Sequence, residues 1–248
     1  MKESEYFTGR HTVRAYDKSR ELTDESLAEM IEAASHAPNT GNMQAYSVVV
    51  TRDEAIKEAL APAHFNQPSV MGSQAVLTFC VDFNRFEKWC LERKAEPGYN
   101  NFQAFMWGVI DAIIFAQQFV TIAEMNGLGT CYLGTVTYNA PQIAKALDLP
   151  KRVVPVATVT VGWPAGAGKV SDRLPVEAIL HREKYTDYTP EDIERLYGPK
   201  EALPENQAFV KENNKETLAQ VFTDIRYKKE DNEYFSKVFE DFIKEAGF

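Results

Sequence analysis

The feature that most constrains this chain is the stretch Phe102–Met125, which follows a helical pattern and is apolar on most sides. Its polar interruptions are Asp111, Gln117, Gln118 and Glu124. A helix this apolar needs cover on several faces, so it is expected to be the central core helix or the seam of a dimer. Gly127 is expected to end it, at the C-terminal position that glycine favours.

Shorter patterns surround this stretch. Thr23 is the predicted N-cap of a helix that ends near Ala37, because Pro38 disfavours helical geometry in the residue before it. Buried strands are expected over Tyr46–Thr51, Ala75–Val81, Leu128–Leu133 and Val153–Val161. Helices are expected over Ala140–Leu147 and Asp231–Ala246, and Asp53 is expected to cap a short helix through Leu60. The elements are interleaved without a regular β-α-β rhythm, which favours an α+β fold.

Charge and cysteine content exclude several classes of protein. The 248 residues carry a formal charge of -9, which argues against a nucleic-acid partner or an anionic membrane surface. Three widely spaced cysteines suggest neither a disulfide framework nor a metal site. The N-terminus lacks the apolar core of a signal peptide, and no segment is expected to be long and apolar enough to span a bilayer. A cytoplasmic protein is the resulting expectation.

A compact cationic cluster, Arg10–Arg14, precedes the first long helix. Arg10, His11 and Arg14 are potentially cationic, and Thr12 adds a hydroxyl. Guanidinium groups bind phosphate through paired, charge-assisted hydrogen bonds, so the cluster could hold an anionic ligand against the net charge. Taken alone, such a short run is more often a solvated basic segment.

A tight polar loop, residues 37–44, follows that helix and leads into a strand. The side chains of Thr40, Asn42 and Gln44 offer donors and acceptors to a heterocycle of mixed polarity. Taken alone, the segment fits a turn built from turn-forming residues better.

Two glycine-containing segments follow the long apolar stretch. Gly127, Gly129 and Gly134 flank a short strand and permit close backbone approach, to a ring or to another strand. Further on, Arg173 stands between Asp172 and a Leu-Pro step. It is either a second phosphate ligand or a loop arginine paired with Asp172.

Several common catalytic motifs are absent from the sequence. There is no GxGxxG after a strand, no P-loop, no GxSxG and no HExxH. His36, His64 and His181 lack a matching cysteine or aspartate constellation, and we interpret each as surface or structural. If the chain is an enzyme, a bound organic cofactor is expected to carry the chemistry.

Together these segments resemble the nitroreductase superfamily, in particular its branch of oxygen-insensitive NADPH nitroreductase and flavin reductase P. The similarity runs from about Tyr6 to Tyr185, in the family's order. The segments that carry it are Arg10–Arg14, Ala37–Gln44, Phe79–Arg85, Gly127–Gly134, Gly162–Pro164 and Asp172–Pro175. The resemblance implies a central, mostly antiparallel sheet flanked by helices. It divides the chain into an FMN-binding domain, residues 1–188, and a helical C-terminal extension, residues 189–248, that packs on the core or on the partner subunit.

By that resemblance, FMN lies in a cleft formed by both subunits of an intertwined homodimer. Arg10, His11 and Arg173 correspond to phosphate-side positions, and Ser171 stands where the branch commonly has lysine. Thr12 and Arg14 correspond to contacts with the ribityl chain and the ring, Arg14 near the N1/O2 edge. The other cofactor positions are Thr40, Asn42 and Gln44 on the partner-facing loop, Gln67, and Tyr132, Leu133, Gly134 and Thr135 along the ring.

The implied activity is oxidoreduction. Two electrons pass from NADPH or NADH to flavin N5 and then, in a ping-pong sequence, to a small-molecule acceptor such as a nitroaromatic, a quinone or a flavin. The protein supplies no catalytic residue of its own, and Arg14 tunes the ring. Two alternatives stay open. One is a same-fold flavoenzyme for enone reduction, reductive dehalogenation or flavin breakdown, and the other is a flavin-binding protein without turnover.

Overall fold

The computed structural model describes residues 3–248. Its strands are β1 (Tyr46–Thr51), β2 (Ala75–Asp82), β3 (Gly129–Leu133) and β4 (Val153–Gly162). The helices are α1 (Glu3–Gly9), α2 (Asp24–Ser35), α3 (Glu54–Leu60), α4 (Pro68–Gly72), α5 (Asn84–Glu92), α6 (Phe102–Met125), α7 (Ala140–Ala146), α8 (Pro190–Glu201), α9 (Pro204–Glu212), α10 (Leu218–Val221) and α11 (Lys229–Ala246). Short 3-10 helices occur at Thr40–Asn42, Ala61–His64 and Val176–Ala178.

The four strands, within residues 3–248, form one antiparallel sheet in the order β1-β2-β4-β3. β2 is buried along its whole length, as expected for a central strand. The register between β2 and β4 shifts at Phe79/Cys80, where Pro155 faces Cys80. Proline has no N–H to donate to the ladder, so a local bulge is the expected response. The expectation of an α+β fold around an antiparallel sheet is confirmed.

Helix α6 is the central core helix. The rings of Phe115 and Phe119 lie 5.3 and 6.0 Å from that of Phe79 on β2, and α2 packs against α6 as well. By length and composition alone α6 could cross a membrane, with a mean hydropathy of 1.5. The expectation that no segment reaches that length and hydropathy was therefore wrong. The sheet and α2 pack against this helix, as the expectation of a core helix requires.

Local signals set several helix ends. The side chain of Thr23 accepts a hydrogen bond from the Ser26 N–H, and that of Asp53 accepts one from the Ile56 N–H. Gly127 follows α6 with φ +83°, a left-handed conformation that favours glycine. These three predictions are confirmed. Helices α1, α4 and α5 were not predicted, because each is too short to show a recognisable apolar periodicity in the sequence.

Contacts divide the chain into two units. The first comprises residues up to Lys169 together with Phe235–Phe248 and contains the whole sheet. In this unit one face of α11 carries an apolar stripe that includes Phe239, Phe242 and Ile243. This stripe packs on the subunit's own core, against a cluster that contains Phe83 and Phe105. The apolar stripe of α11 thus has its partner within the chain.

The second unit is Val170–Tyr234. Helices α8 and α10 each begin with a capping box, Thr189 with Asp192 and Thr217 with Gln220. A short π-helical turn, Phe222–Arg226, follows α10. The functional division at residue 188 stays a prediction.

Candidate functional site

The segment Arg10–Arg14 runs beside β3. The Val13 N–H donates to the Thr130 carbonyl at 2.9 Å. A Cβ placed on Gly129 would lie 2.5 Å from the Val13 Cβ, so this close approach requires glycine. Tyr16 fixes the far end of the segment, with its hydroxyl 2.9 Å from the Val13 carbonyl and 2.7 Å from the Thr160 Oγ1.

Glu124, in the last turn of α6, holds Arg10. The Arg10 Nε donates to Glu124 Oε2 at 3.2 Å, and Arg10 Nη2 lies 3.1 Å from Oε1. The Tyr6 hydroxyl donates to Oε2 at 2.9 Å, and Thr130 Oγ1 donates to Oε1. Burial and the neighbouring carboxylate raise the pKa of Tyr6 to about 12. The Glu124 side chain is only 8% exposed, so it is a nearly buried carboxylate with three partner side chains.

Arg14 lies beside Cys131 on β3. Burial raises the pKa of the Cys131 thiol, and the charges of Arg14 and Arg10 partly oppose that rise. Burial likewise raises the pKa of Tyr132, whose hydroxyl is buried and has no hydrogen-bond partner within residues 3–248. The cationic segment and the Tyr132 end of β3 are therefore neighbours.

His11 packs against the loop that follows β4. A Cβ placed on Gly168 would lie 1.9 Å from the His11 Cδ2, so the loop passes directly over the imidazole, and a larger residue there would displace the ring. A cavity of about 380 Å³ is lined by Arg10 and His11, with Glu124 and Gly129 among its other walls.

Ser171 and Arg173 belong to the second unit. Arg173 Nη1 donates to the backbone carbonyls of Ser171 and Asp172, at 3.2 and 2.8 Å. The Asp172 carboxylate accepts a hydrogen bond from Lys200 Nζ at 2.6 Å, which lowers the pKa of Asp172. Arg173 thus does not form the side-chain pair with Asp172 that the sequence left open.

The polar loop Thr40–Gln44 is held by the other acid of α6. The Thr40 N–H and hydroxyl both donate to Asp111 Oδ1, at 2.8 and 2.9 Å. Asp111 is 1% exposed, and its Oδ2 has no hydrogen-bond partner in the described part of the chain. Asn42 and Gln44 adopt left-handed backbone conformations, with φ of 56° and 52°. Such conformations cost about 1–3 kcal/mol each in residues other than glycine.

The amides of this loop meet above a second cavity. Gln44 Nε2 donates to Asn42 Oδ1 at 3.2 Å. Both side chains line a cavity of about 640 Å³, shared with Arg85, Phe86 and Trp89. Arg10 and Arg14 do not line it.

Gln67 and Thr135 come together around His64. The His64 Nδ1 lies 2.8 Å from Thr135 Oγ1, and the Gln67 N–H donates to the His64 carbonyl. Burial lowers the pKa of His64 to about 4, so its ring is neutral at pH 7. A Cβ placed on Gly134 would have no heavy atom within 4 Å, so space is open beside this segment. The interpretation of His64 as structural agrees with its full burial.

Two groups of predicted site residues lie at different positions along α6. Arg10–Arg14 lies at the Glu124 end of α6, and Thr40–Gln44 lies at Asp111. Thirteen residues separate these two acids, which amounts to about 20 Å along the helix axis. In the sequence, both acids stood out only as polar interruptions of the apolar helical pattern. No other sequence signal pointed to their roles in holding the site residues.

A model of the nitroreductase family matches residues 7–163. The oxygen-insensitive NADPH nitroreductase of Salmonella typhimurium is 31% identical over 181 residues, covering 73% of each chain. A crystal structure assigned as an oxidoreductase from Bacteroides fragilis is 52% identical, with a TM-score of 0.96 and 98% of each chain covered. A nitroreductase structure in complex with FMN, from Exiguobacterium sibiricum, has 28% identity and a TM-score of 0.62, covering 74% of this chain and 98% of that one.

The fold and the match define an oxidoreductase with a nitroreductase-like fold. The chain belongs to the nitroreductase family.

Proposed function

We propose that the protein is an FMN-dependent NAD(P)H oxidoreductase that reduces small organic acceptors. The observation that carries this proposal is the grouping of Arg10, His11 and Arg14 beside the open Tyr132–Thr135 segment. The relative named as an NADPH nitroreductase and the fold neighbour solved with FMN support the same choice.

The residues fit a flavin mononucleotide. A dianionic phosphate needs several cationic donors, and Arg10, His11 and Arg14 are the candidates, although Glu124 already pairs with Arg10 and the chain carries a net charge of -9. The open space beside Gly134 leaves room for a flat ring against β3. Arg10, His11, Ser171 and Arg173 would hold the phosphate.

The ring and the ribityl chain would lie between the two groups of site residues. Thr12 and Arg14 would contact the ribityl chain and the N1/O2 edge, with Gln67 and residues 132–135 along the ring. Bound FMN supplies the two-electron carrier between the nicotinamide and the acceptor. Arg14 places positive charge at the ring edge and so favours the reduced cofactor. Donor and acceptor would occupy the same face in turn, in a ping-pong sequence.

A homodimer follows from the separation of the two groups. Asp111 and Glu124, which hold Thr40 and Arg10, lie about 20 Å apart along α6, and this separation supports two chains contributing to one site. A second copy would bring its own loop to that ring. Exposed apolar side chains at helical spacing on α6 support this seam: Phe102, Met106, Ile110 and Ile113.

We further propose that the protein is cytoplasmic, that residues 1–188 bind FMN, and that residues 189–248 form a helical extension. Nitroaromatics, quinones and flavins are the proposed acceptors.

Purified protein tests the proposed function. It should be yellow and release FMN on denaturation, and NADPH or NADH should bleach the flavin under anaerobic conditions. Colourless protein that cannot be reconstituted with FMN would contradict the proposal. Bound flavin that neither nucleotide reduces would indicate binding without turnover.

A further inference from the structure

The 640 Å³ cavity beside the Asn42–Gln44 amides has one aromatic wall that the flavin assignment does not use. Trp89 on α5 lines it and is 57% exposed, which is unusual for the largest apolar side chain. Phe86 and Phe115 line the same cavity, while Ser47 and Arg85 add polar groups. Apolar walls with a few placed polar groups are typical of small-molecule sites.

Trp89 is linked to the core by a series of ring contacts. The Phe86 ring meets Trp89 edge-on at 5.4 Å and Phe83 at 6.4 Å. Phe83 is fully buried, so the series ties the exposed indole to the core. An indole fixed in this way can act as a platform without losing much side-chain entropy when a ligand stacks on it.

Arg85 joins this wall to the amide loop. Its Nη2 donates to the carbonyls of Gln44 and Tyr46, at 2.6 and 3.1 Å, and its Nη1 donates to Ser47 Oγ at 3.2 Å. The aromatic wall and the amides are therefore held as one unit. A cavity lined by both an indole and polar groups suits a flat aromatic ring that carries oxygen acceptors.

We propose that Trp89 is a specificity-determining residue that stacks planar aromatic acceptors of the quinone class. This inference rests on the proposed function, in which Asn42 and Gln44 face a flavin ring. Stacking on an aromatic side chain contributes about 0.5–1.5 kcal/mol beyond area burial, up to roughly tenfold in affinity.

The test compares Trp89→Ala and Trp89→Phe with Leu91→Ala. Leu91 is on the same helix and is 60% exposed, but it does not line the cavity. The acceptors are 1,4-naphthoquinone and ferricyanide, a small ion with no ring to stack. Trp89→Ala should raise the KM for the quinone about tenfold, and leave both the ferricyanide kinetics and flavin reduction by the nucleotide unchanged. Trp89→Phe should restore most of the loss.

Equilibrium dialysis of 1,4-naphthoquinone against the same variants tests the subsite without turnover. Wild-type protein should bind the quinone more tightly than Trp89→Ala does. Equal binding, or a loss of both acceptors in parallel, would overturn the role of Trp89. A difference in sedimentation between wild type and Trp89→Ala would also overturn this role, because it would show that Trp89 contacts a second copy of the chain. Wild-type protein that binds the quinone yet reduces no acceptor would instead contradict the proposed function.

Discussion

The two acids of α6 hold the two groups of site residues in different ways. Glu124 is nearly buried and accepts hydrogen bonds from Arg10, Tyr6 and Thr130 on both of its oxygens. Asp111 is fully buried, but among residues 3–248 only its Oδ1 has hydrogen-bond partners, both from Thr40. The cationic group is thus held by a carboxylate, Glu124, whose two oxygens both have partners. The amide loop is held by a carboxylate, Asp111, with one oxygen unpaired in the described part of the chain. A charge buried without full pairing is a liability for stability.

The largest expected effect is that of Glu124→Ala. It should lower the free energy of unfolding by about 3 kcal/mol or more, because Arg10, Tyr6 and Thr130 lose a shared acceptor in a nearly buried place. Denaturant titration at fixed protein concentration measures the loss. Asp24→Ala, which breaks the exposed pair with Arg52, is the control and should change stability by less than about 1 kcal/mol. Equal losses in both variants would show that Glu124 is no special anchor.

His64 predicts a pH effect in the group around Thr135. Its pKa is lowered from 6.5 to about 4 by burial, so the unfolded chain binds the proton more readily. The stabilising contribution is therefore complete above about pH 6.5 and lost as the pH falls towards 4. The loss over this window is roughly 3 kcal/mol. Unfolding titrations should give His64→Gln a flatter profile. The control is the exposed His36, whose replacement by Gln should keep the wild-type slope; an unchanged slope in His64→Gln would contradict the assignment.

Arg173→Ala tests the proposed role of this arginine in holding the FMN phosphate. Loss of a charged hydrogen bond to the phosphate should weaken FMN binding by about 1.5–3 kcal/mol. Arg182→Ala removes an exposed charge nine positions further along the sequence and should leave the affinity as it is. Fluorescence titration with FMN separates the two, and matching affinities would remove Arg173 from the site.

The smallest expected effect is that of Asp111→Asn. The amide oxygen can still accept from Thr40, and the buried charge disappears, so stability should change by less than about 1 kcal/mol. Denaturant titration beside Glu124→Ala makes this comparison directly. A loss as large as that of Glu124→Ala would mean that the Asp111 charge itself stabilises the fold.

Much of the fold could be predicted from the sequence, because periodicity and capping are local. The bounds of Tyr46–Thr51 and Phe102–Met125 matched the structure at both ends. Helix α5 was missed because charged side chains such as Arg85 and Lys88 break its apolar pattern, and it carries the Trp89 wall. The pairing of Arg10 with Glu124 spans 114 residues of sequence, so no local rule could give it.

In the proposed homodimer, one flavin is shared between the Arg14 side of one chain and the Gln44 side of the other. One variant carries Thr12→Val with Arg14→Ala, and the other carries Asn42→Gly with Gln44→Gly, since glycine keeps the left-handed backbone. Each should bind FMN weakly as a homodimer. A mixed dimer of the two should regain one site of wild-type affinity, because one of its two sites takes both intact halves. A mixed dimer that binds FMN no better than its parents would contradict the shared site.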